Sequence, residues 1–310
     1  MTPIASVVVP VFNEHETLHP LIDRLVPVLA EVTGGSFEII FVDDGSSDGS
    51  SDILDALHAD DGRVKVVHLS RNFGHQAALQ AGIDAARGRA VVLMDADLQD
   101  RPEDLRVFFA RWRDGYDVVY AIRTDRKEGR TKRTAYSLFY RTLRMISEVD
   151  VAVDAGDFSL IDRRVLDVLA TFPERNRMLR GLRSWVGFRQ VGVECSRDAR
   201  FAGASKYTIG KLLTLALSGY VGFSVVPLRL ATWSGFVAAA TGFAVMVWVF
   251  VTKLLDVPSP RGWASTLAVI LFIGGVQMLL LGVLGEYLGR IYDEVRRRPL
   301  YIVRSRLGLE

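Results

Sequence analysis

A single cysteine, Cys195, stands in a chain of 310 residues. That excludes an internal disulfide and any zinc site built on cysteine pairs. Excess charge of one sign is missing too. The formal net charge is +2, so the molecule as a whole makes no electrostatic case for binding nucleic acid. No basic segment followed by an apolar one opens the chain, so no secretory leader is expected and the N-terminal part should stay in a reducing cytosol. Two nucleotide-binding fingerprints are also absent. Neither Gly-x-Gly-x-x-Gly after the first strand nor Gly-x-x-x-x-Gly-Lys-[Ser/Thr] anywhere occurs, which argues against a Rossmann dinucleotide unit and a P-loop NTPase. There is no internal repeat.

What is present is a series of acidic strand ends. The apolar run 90–94 leads into Asp95-Ala96-Asp97-Leu98-Gln99-Asp100. Open α/β sheets bind ligands at the carboxyl ends of their strands, and an Asp-x-Asp pair there suits a hard divalent cation shared with phosphate oxygens. A second run, 37–42, leads into Asp43-Asp44-Gly45-Ser46-Ser47-Asp48, and a third, 6–9, into Pro10-Val11-Phe12-Asn13-Glu14. Asp-Asp-Gly-Ser alone is an ordinary turn signal; the order of three acid-bearing strand ends describes a site for a nucleoside diphosphate and a metal. Further strands are expected at 64–69, 118–121 and 191–195. Leu18, Leu21, Ile22, Leu25 and Leu29 recur at helical spacing over 18–32, and Pro102 suits the first turn of a helix. Strands alternating with helices predict an α/β, doubly wound, mainly parallel sheet. Residues 123–133 read as a charged loop and 136–146 as a helix.

Apolar residues are concentrated late. Segments 231–252 and 263–285 contain no charge, and each is long enough as a helix to cross a hydrocarbon core of about 30 Å. Lys206, Lys211 and Arg229 precede the first, and Arg290, Arg296, Arg297, Arg298, Arg304 and Arg306 follow the second. The connection holds only Lys253 and Arg261. The positive-inside rule then puts both flanks in the cytoplasm and the connection outside. Trp233 and Trp263 fit interfacial anchors. Residues 205–223 suit a helix along the membrane surface.

With these residues assembled, the chain resembles family 2 glycosyltransferases, and among them the polyprenyl-phosphate glycosyltransferases such as bactoprenol glucosyltransferases and dolichol-phosphate mannose synthases. The carriers are the three strand-end motifs, Arg71-Asn72-Phe73-Gly74-His75-Gln76, Gly156-Asp157-Phe158-Ser159-Leu160 and Arg200-Phe201-Ala202-Gly203-Ala204-Ser205-Lys206-Tyr207. One departure is visible: relatives carrying Gly-Asp-Phe usually follow it with Arg, where this chain has Ser159.

The resemblance implies a GT-A type sheet followed by a two-helix transmembrane hairpin. It divides the chain into a cytoplasmic catalytic domain 1–204, a juxtamembrane helix 205–230, the hairpin 231–288 and a basic cytoplasmic tail 289–310. It places the protein in a bacterial-type plasma membrane with both termini inside. It implies a nucleotide-sugar donor, a polyprenyl-phosphate acceptor and Mg²⁺ or Mn²⁺; self-association is compatible with it, and the subunit count stays open. Pro10, Phe12, Glu14 and Asp44 would line the nucleoside pocket, and Asp95 and Ala96 would lie by the ribose. Asp95, Asp97 and Gln99 would hold the metal, and Arg123, Arg133, Arg200 and Lys206 the phosphates. Asp157 would serve the acceptor, as a base or as an orienting group, with Asp97, Arg200 and Lys206 completing the catalytic set. Blander readings stand beside these: Phe12 as core, Arg123 and Arg133 as solvated loop charge, Lys206 as a membrane anchor, and His75 as a cap or packing residue rather than a base. A processive polysaccharide synthase would add Gln-x-x-Arg-Trp, which Arg183-Ser184-Trp185 matches only in part. A membrane scaffold would leave the acidic strand ends unexplained.

Overall fold

The computed structural model describes residues 2–123, 155–172, 174, 179–196, 226–255 and 262–309. The chain forms two compact units, one built on the sheet and one on two long helices. The expected helices at 136–146 and 205–223, and the side chains of Arg123, Arg133, Arg200 and Lys206, lie outside what is described.

The sheet unit grows from four parallel strands: β1 (Ala5–Val11), β2 (Phe37–Asp43), β3 (Val64–Leu69) and β4 (Ala90–Leu93). Each is an apolar run buried on both faces, as strands covered by helices on two sides must be. Val7, Val9, Ile39 and Phe41 pack on one side beneath α1 (Leu18–Thr33), α2 (Ser50–Asp60) and α4 (Leu105–Arg113). Val8, Ile40 and Val42 pack on the other, beneath α3 (His75–Ala85), α5 (Arg163–Ala170) and α6 (Leu179–Trp185). The chain winds from β1 outward through β2 to β3, then returns to place β4 on the far side of β1. The switch point, where an open sheet leaves its crevice, is therefore between β1 and β4.

Pro10 sits in the central strand β1, an uncommon place for a residue without an N–H. Its position explains the tolerance. Val8 gives its carbonyl to Met94 on the β4 side, and the β1–β4 pairing ends at Val8 and Leu93. Two residues on, Pro10 faces the same way, where no strand remains to be bonded.

Beyond β4 the sheet turns antiparallel. Strand β6 (Ala155–Asp162) runs against β4 and β5 (Val118–Arg123), and β7 (Gln190–Cys195) lies parallel to β5. Strands β5 and β7 fall where strands were expected, and β6 between them was not expected. At the opposite edge stands a second difference from expectation. Val303–Leu307, which reads in sequence as part of a basic tail, forms β8 and pairs antiparallel with β3. Its arginines at 304 and 306 are exposed at the edge, a device that discourages further strand addition.

The second unit holds α7 (Val226–Leu254) and α8 (Trp263–Arg296), which contain the two uncharged segments. They meet closely, with the Gly235 α-carbon face 3.7 Å from Leu280 Cδ1 for a Cβ built there. Trp233, Phe236, Trp248, Phe272 and Met278 are exposed. Phe272–Arg296 is long and apolar enough to cross a membrane, and the apolar stretch found in α7, Gly235–Ala244, is shorter.

Gly82 seats α3 on the sheet. A Cβ there would lie 2.2 Å from Val8 Cγ1, and valine is stiff at χ1. Gly82→Ala is therefore expected to lower stability by about 1–3 kcal/mol, outweighing the ~1 kcal/mol that alanine gains in helix propensity. Thermal unfolding in detergent checks this; a raised midpoint would show that the helix can lift without loss.

Candidate active site

The site begins with two adjacent carboxylates that leave β2. Asp43 is buried and pairs across the ladder with His68 of β3. It accepts from His68 Nδ1 at 3.0 Å, Ser51 Oγ at 2.6 Å and the Ser46 N–H at 2.8 Å. Burial raises its pKa, but these donors more than reverse that and hold the carboxyl far below its usual range. His68 Nε2 reaches Asp55 at 2.8 Å, so one buried imidazole spans two acids.

Asp44 turns to the other side. Its oxygens accept from the backbone N–H groups of Phe73 and Gly74 at 2.7 and 2.9 Å. Burial raises the Asp44 pKa, beyond what these N–H bonds lower it. Next to it Gly45 has φ 74°, and a Cβ would lie 2.7 Å from the Arg71 carbonyl carbon. Asp-Asp-Gly is therefore the seat of the loop that precedes α3. Each Asp44 oxygen accepts one backbone N–H and keeps a lone pair open to a further donor.

The loops after β1 and β2 clasp each other. Ser47 N–H donates to Asn13 Oδ1, Asn13 N–H to Ser46 Oγ and Glu14 N–H to Ser50 Oγ, at 2.8 to 3.1 Å. Asn13 adopts φ 56°. Phe12 is 38% exposed at this rim and is not core.

Across the switch point, Ala96 and Leu98 bury their side chains in the core, so Ala96 could meet a donor only through its backbone. The Asp97 Oδ1 accepts the Gln99 N–H at 3.1 Å. The β4–β6 ladder ends with Leu93 opposite Ser159; two residues further along each chain in that register lie Asp95 and Asp157. Between them stands His75, the first residue of α3, with Nε2 3.7 Å from Asp95 Oδ1 and 3.7 Å from Asp157 Oδ2. Its neighbour Gly74 is the N-cap, so His75 is not the cap, and its side chain is 43% exposed. Burial lowers the imidazole pKa, but Asp157, Asp95 and Asp44 raise it further, for a net increase. Sequence offered only its place in the Arg71-Asn72-Phe73-Gly74-His75-Gln76 motif.

Residues 6–169 match the profile of glycosyl transferase family 2, and residues 226–291 that of the GtrB C-terminal hairpin. The chain belongs to glycosyltransferase family 2. This glycosyltransferase is 46% identical to the glycosyltransferase YkcC of Bacillus subtilis over 98% of its own length and 94% of that protein's. It is 42% identical to the SfII prophage-derived bactoprenol glucosyl transferase of Shigella flexneri, over 97% of each chain. The mannosyltransferase PcManGT from Pyrobaculum calidifontis, solved with GDP-Man and Mn²⁺, shares the GT-A fold at a TM-score of 0.50 and 15% identity, over 93% of this chain and 88% of that one.

Where the glycosyltransferase departs from the expected arginine, Ser159 is fully buried and donates Oγ to the Asp157 carbonyl at 2.9 Å. Its β5 partner, Tyr120, carries the buried Arg183 guanidinium 4.8 Å over its ring. Cys195 is buried, and burial with the charges of Asp104 and Asp100 pushes its thiol up to about 12.

The Asp43–His68–Asp55 chain makes stability pH-dependent. Asp43 raises the His68 pKa against the lowering by burial, and Asp55 adds to it. A folded pKa above the ordinary 6.5 means protonation favours the native state. The contribution is full below about pH 6.5 and lost as pH rises through the folded value. His68→Gln should flatten the fall of the thermal midpoint between pH 6 and pH 9; an unchanged slope would contradict the ion-paired imidazole.

Proposed function

We propose that this glycosyltransferase transfers a hexose from a nucleotide-sugar, UDP-glucose first, to a polyprenyl phosphate such as undecaprenyl or decaprenyl phosphate. The reaction would take place at the cytoplasmic face of the bacterial plasma membrane and yield a lipid-linked monosaccharide for cell-envelope glycan modification. The observation that carries this reading is the convergence of Asp95 and Asp157 on His75 beyond the carboxyl end of β4, in a chain that also bears two long apolar helices. The bactoprenol glucosyl transferase similarity over nearly the whole length supports the acceptor class.

Asp95, Asp97 and Gln99 are the residues that would hold Mg²⁺ or Mn²⁺. Among the described residues no three His, Cys, Asp or Glu side chains form a metal cage. Two carboxylates and an amide on one turn fit an ion that keeps positions for substrate phosphate oxygens. When bound, such an ion neutralises charge on the departing nucleoside diphosphate.

The acceptor needs little activation. A phosphate monoester has a second pKa of about 6, so its oxygen is mostly anionic at neutral pH and a strong base is less necessary than for a hydroxyl. That oxygen attacks the anomeric carbon as the bond to the nucleoside diphosphate breaks, and the configuration inverts. Asp157 orients the acceptor and balances charge on this reading, with Arg200 and Lys206 as its cationic partners and Arg123 and Arg133 on the donor's phosphates. Pro10, Phe12 and Glu14 line the nucleoside side. A lipid acceptor cannot leave the bilayer, which accounts for a membrane-anchored catalyst. The arginine-rich flanks of the apolar helices favour both termini inside.

Labelled transfer from a panel of nucleotide-sugars into an organic-extractable lipid tests the proposal. UDP-glucose should give a lipid-linked monosaccharide; an N-acetylhexosamine, aminoarabinose or mannose donor working instead would reassign the sugar, and polymer or no product would refute the reaction. Asp97→Asn should abolish transfer without lowering the thermal midpoint, and a chelator should inhibit the unmodified enzyme. Near-normal activity of Asp97→Asn with Mg²⁺ present would overturn the metal assignment. A cysteine placed at Ser259 should react with an impermeant thiol reagent in intact cells, and one at Gly308 should not; the reverse pattern would put the site outside.

A further inference from the structure

The proposed reaction has no use for His75 as a base, since the nucleophile is already an anion. Yet its imidazole occupies the centre of the site. One nitrogen is equidistant, at 3.7 Å, from a carboxylate after β4 and a carboxylate on β6. Neither approach is short enough for a hydrogen bond. The arrangement is that of a polar group within reach of two acids of like charge, each of which raises its pKa.

The backbone that carries this imidazole is tied at three points. Asp44 fixes the N–H groups of Phe73 and Gly74, so the first residue of α3 cannot drift from the β2 end. Gly82 brings α3 onto β1 without space to spare. Gln76 Oε1 accepts the Leu179 N–H at 3.4 Å, tying the start of α3 to α6. A side chain on backbone tied in this way, and still 43% exposed, is suited to fixing the geometry of a site rather than filling a core.

We propose that His75 is a positioning residue that sets the spacing between Asp95 and Asp157, with its Nε2 as the shared contact. It thereby holds the acceptor-side carboxylate in register with the donor side. The inference rests on the acceptor role given above to Asp157. Its chemical content lies in the position of one N–H. Glutamine places an amide nitrogen close to the position of the imidazole Nε2, whereas asparagine mimics Nδ1 and falls short.

The test compares wild type, His75→Ala, His75→Gln, His75→Asn, Asp157→Asn and the His75→Ala/Asp157→Asn pair in the lipid-transfer assay, with donor and acceptor each varied. His75→Ala should lower kcat about ten- to hundredfold, the scale at which misplacement of a reacting group by 1 Å acts. Donor KM should stay within about threefold, because ground-state donor binding is not what the contact serves. His75→Gln should recover most of the rate and His75→Asn should not. The double variant should be no slower than Asp157→Asn alone. Wild-type kcat in His75→Ala, equal rates for the Gln and Asn variants, or losses that multiply in the double variant would each overturn the proposal. If His75→Ala does not fold, the Gln and Asn variants decide it. Wild type making no lipid-linked product would refute the underlying reaction, and this inference with it; an active wild type indifferent to His75 would refute the inference alone.

Discussion

Carboxylates that leave water at the end of a buried strand must be met by donors, because an unpaired buried charge is far too costly to keep. How Asp43 and Asp44 are met organises the catalytic unit. Asp43 takes His68 and two serines, which ties β2 to β3 and closes the turn after it. Asp44 takes the backbone of Phe73 and Gly74, which fixes where α3 starts. From that start His75 falls between Asp95 and Asp157. Two adjacent acids thus locate a third residue on which two others converge.

The same dependence explains the tight sites around it. Gly45 is needed where the Asp-Asp turn touches the Arg71–Asn72 backbone, and Gly82 where α3 meets β1. Pro10 is tolerated because β4 has ended before it. Each of these residues sits where the chain converges on the switch point, and none is explained by secondary-structure preference alone.

Much of this was legible in the sequence. The apolar runs of β1 to β4 and the acids behind them announced a doubly wound sheet with its site at one edge, and the uncharged segments announced the long helices. The roles of individual residues were less legible, for physical reasons. The hold of Asp44 on the start of α3 was hidden because sequence does not show that the N–H groups of Phe73 and Gly74 reach it. His75 reads as a helix-start residue because its importance arises from Asp157, eighty residues away in the chain by about that count and adjacent only through the β4–β6 register. Strand β8 was hidden by its arginines: an edge strand with one wet side carries only half of an apolar pattern, and here the charged half resembles a tail. Strand β6 was missed because Gly-Asp-Phe-Ser interrupts its apolar run at the site itself.

The central claim is direct displacement at the anomeric carbon by a lipid phosphate, organised by carboxylates at the switch point. The most direct measurement is the anomeric configuration of the lipid-linked sugar made by the purified enzyme from an α-configured nucleotide-sugar, determined by NMR. The account predicts the β anomer, one inversion for one displacement. The α anomer would require a second displacement through an enzyme-bound sugar, and would contradict it.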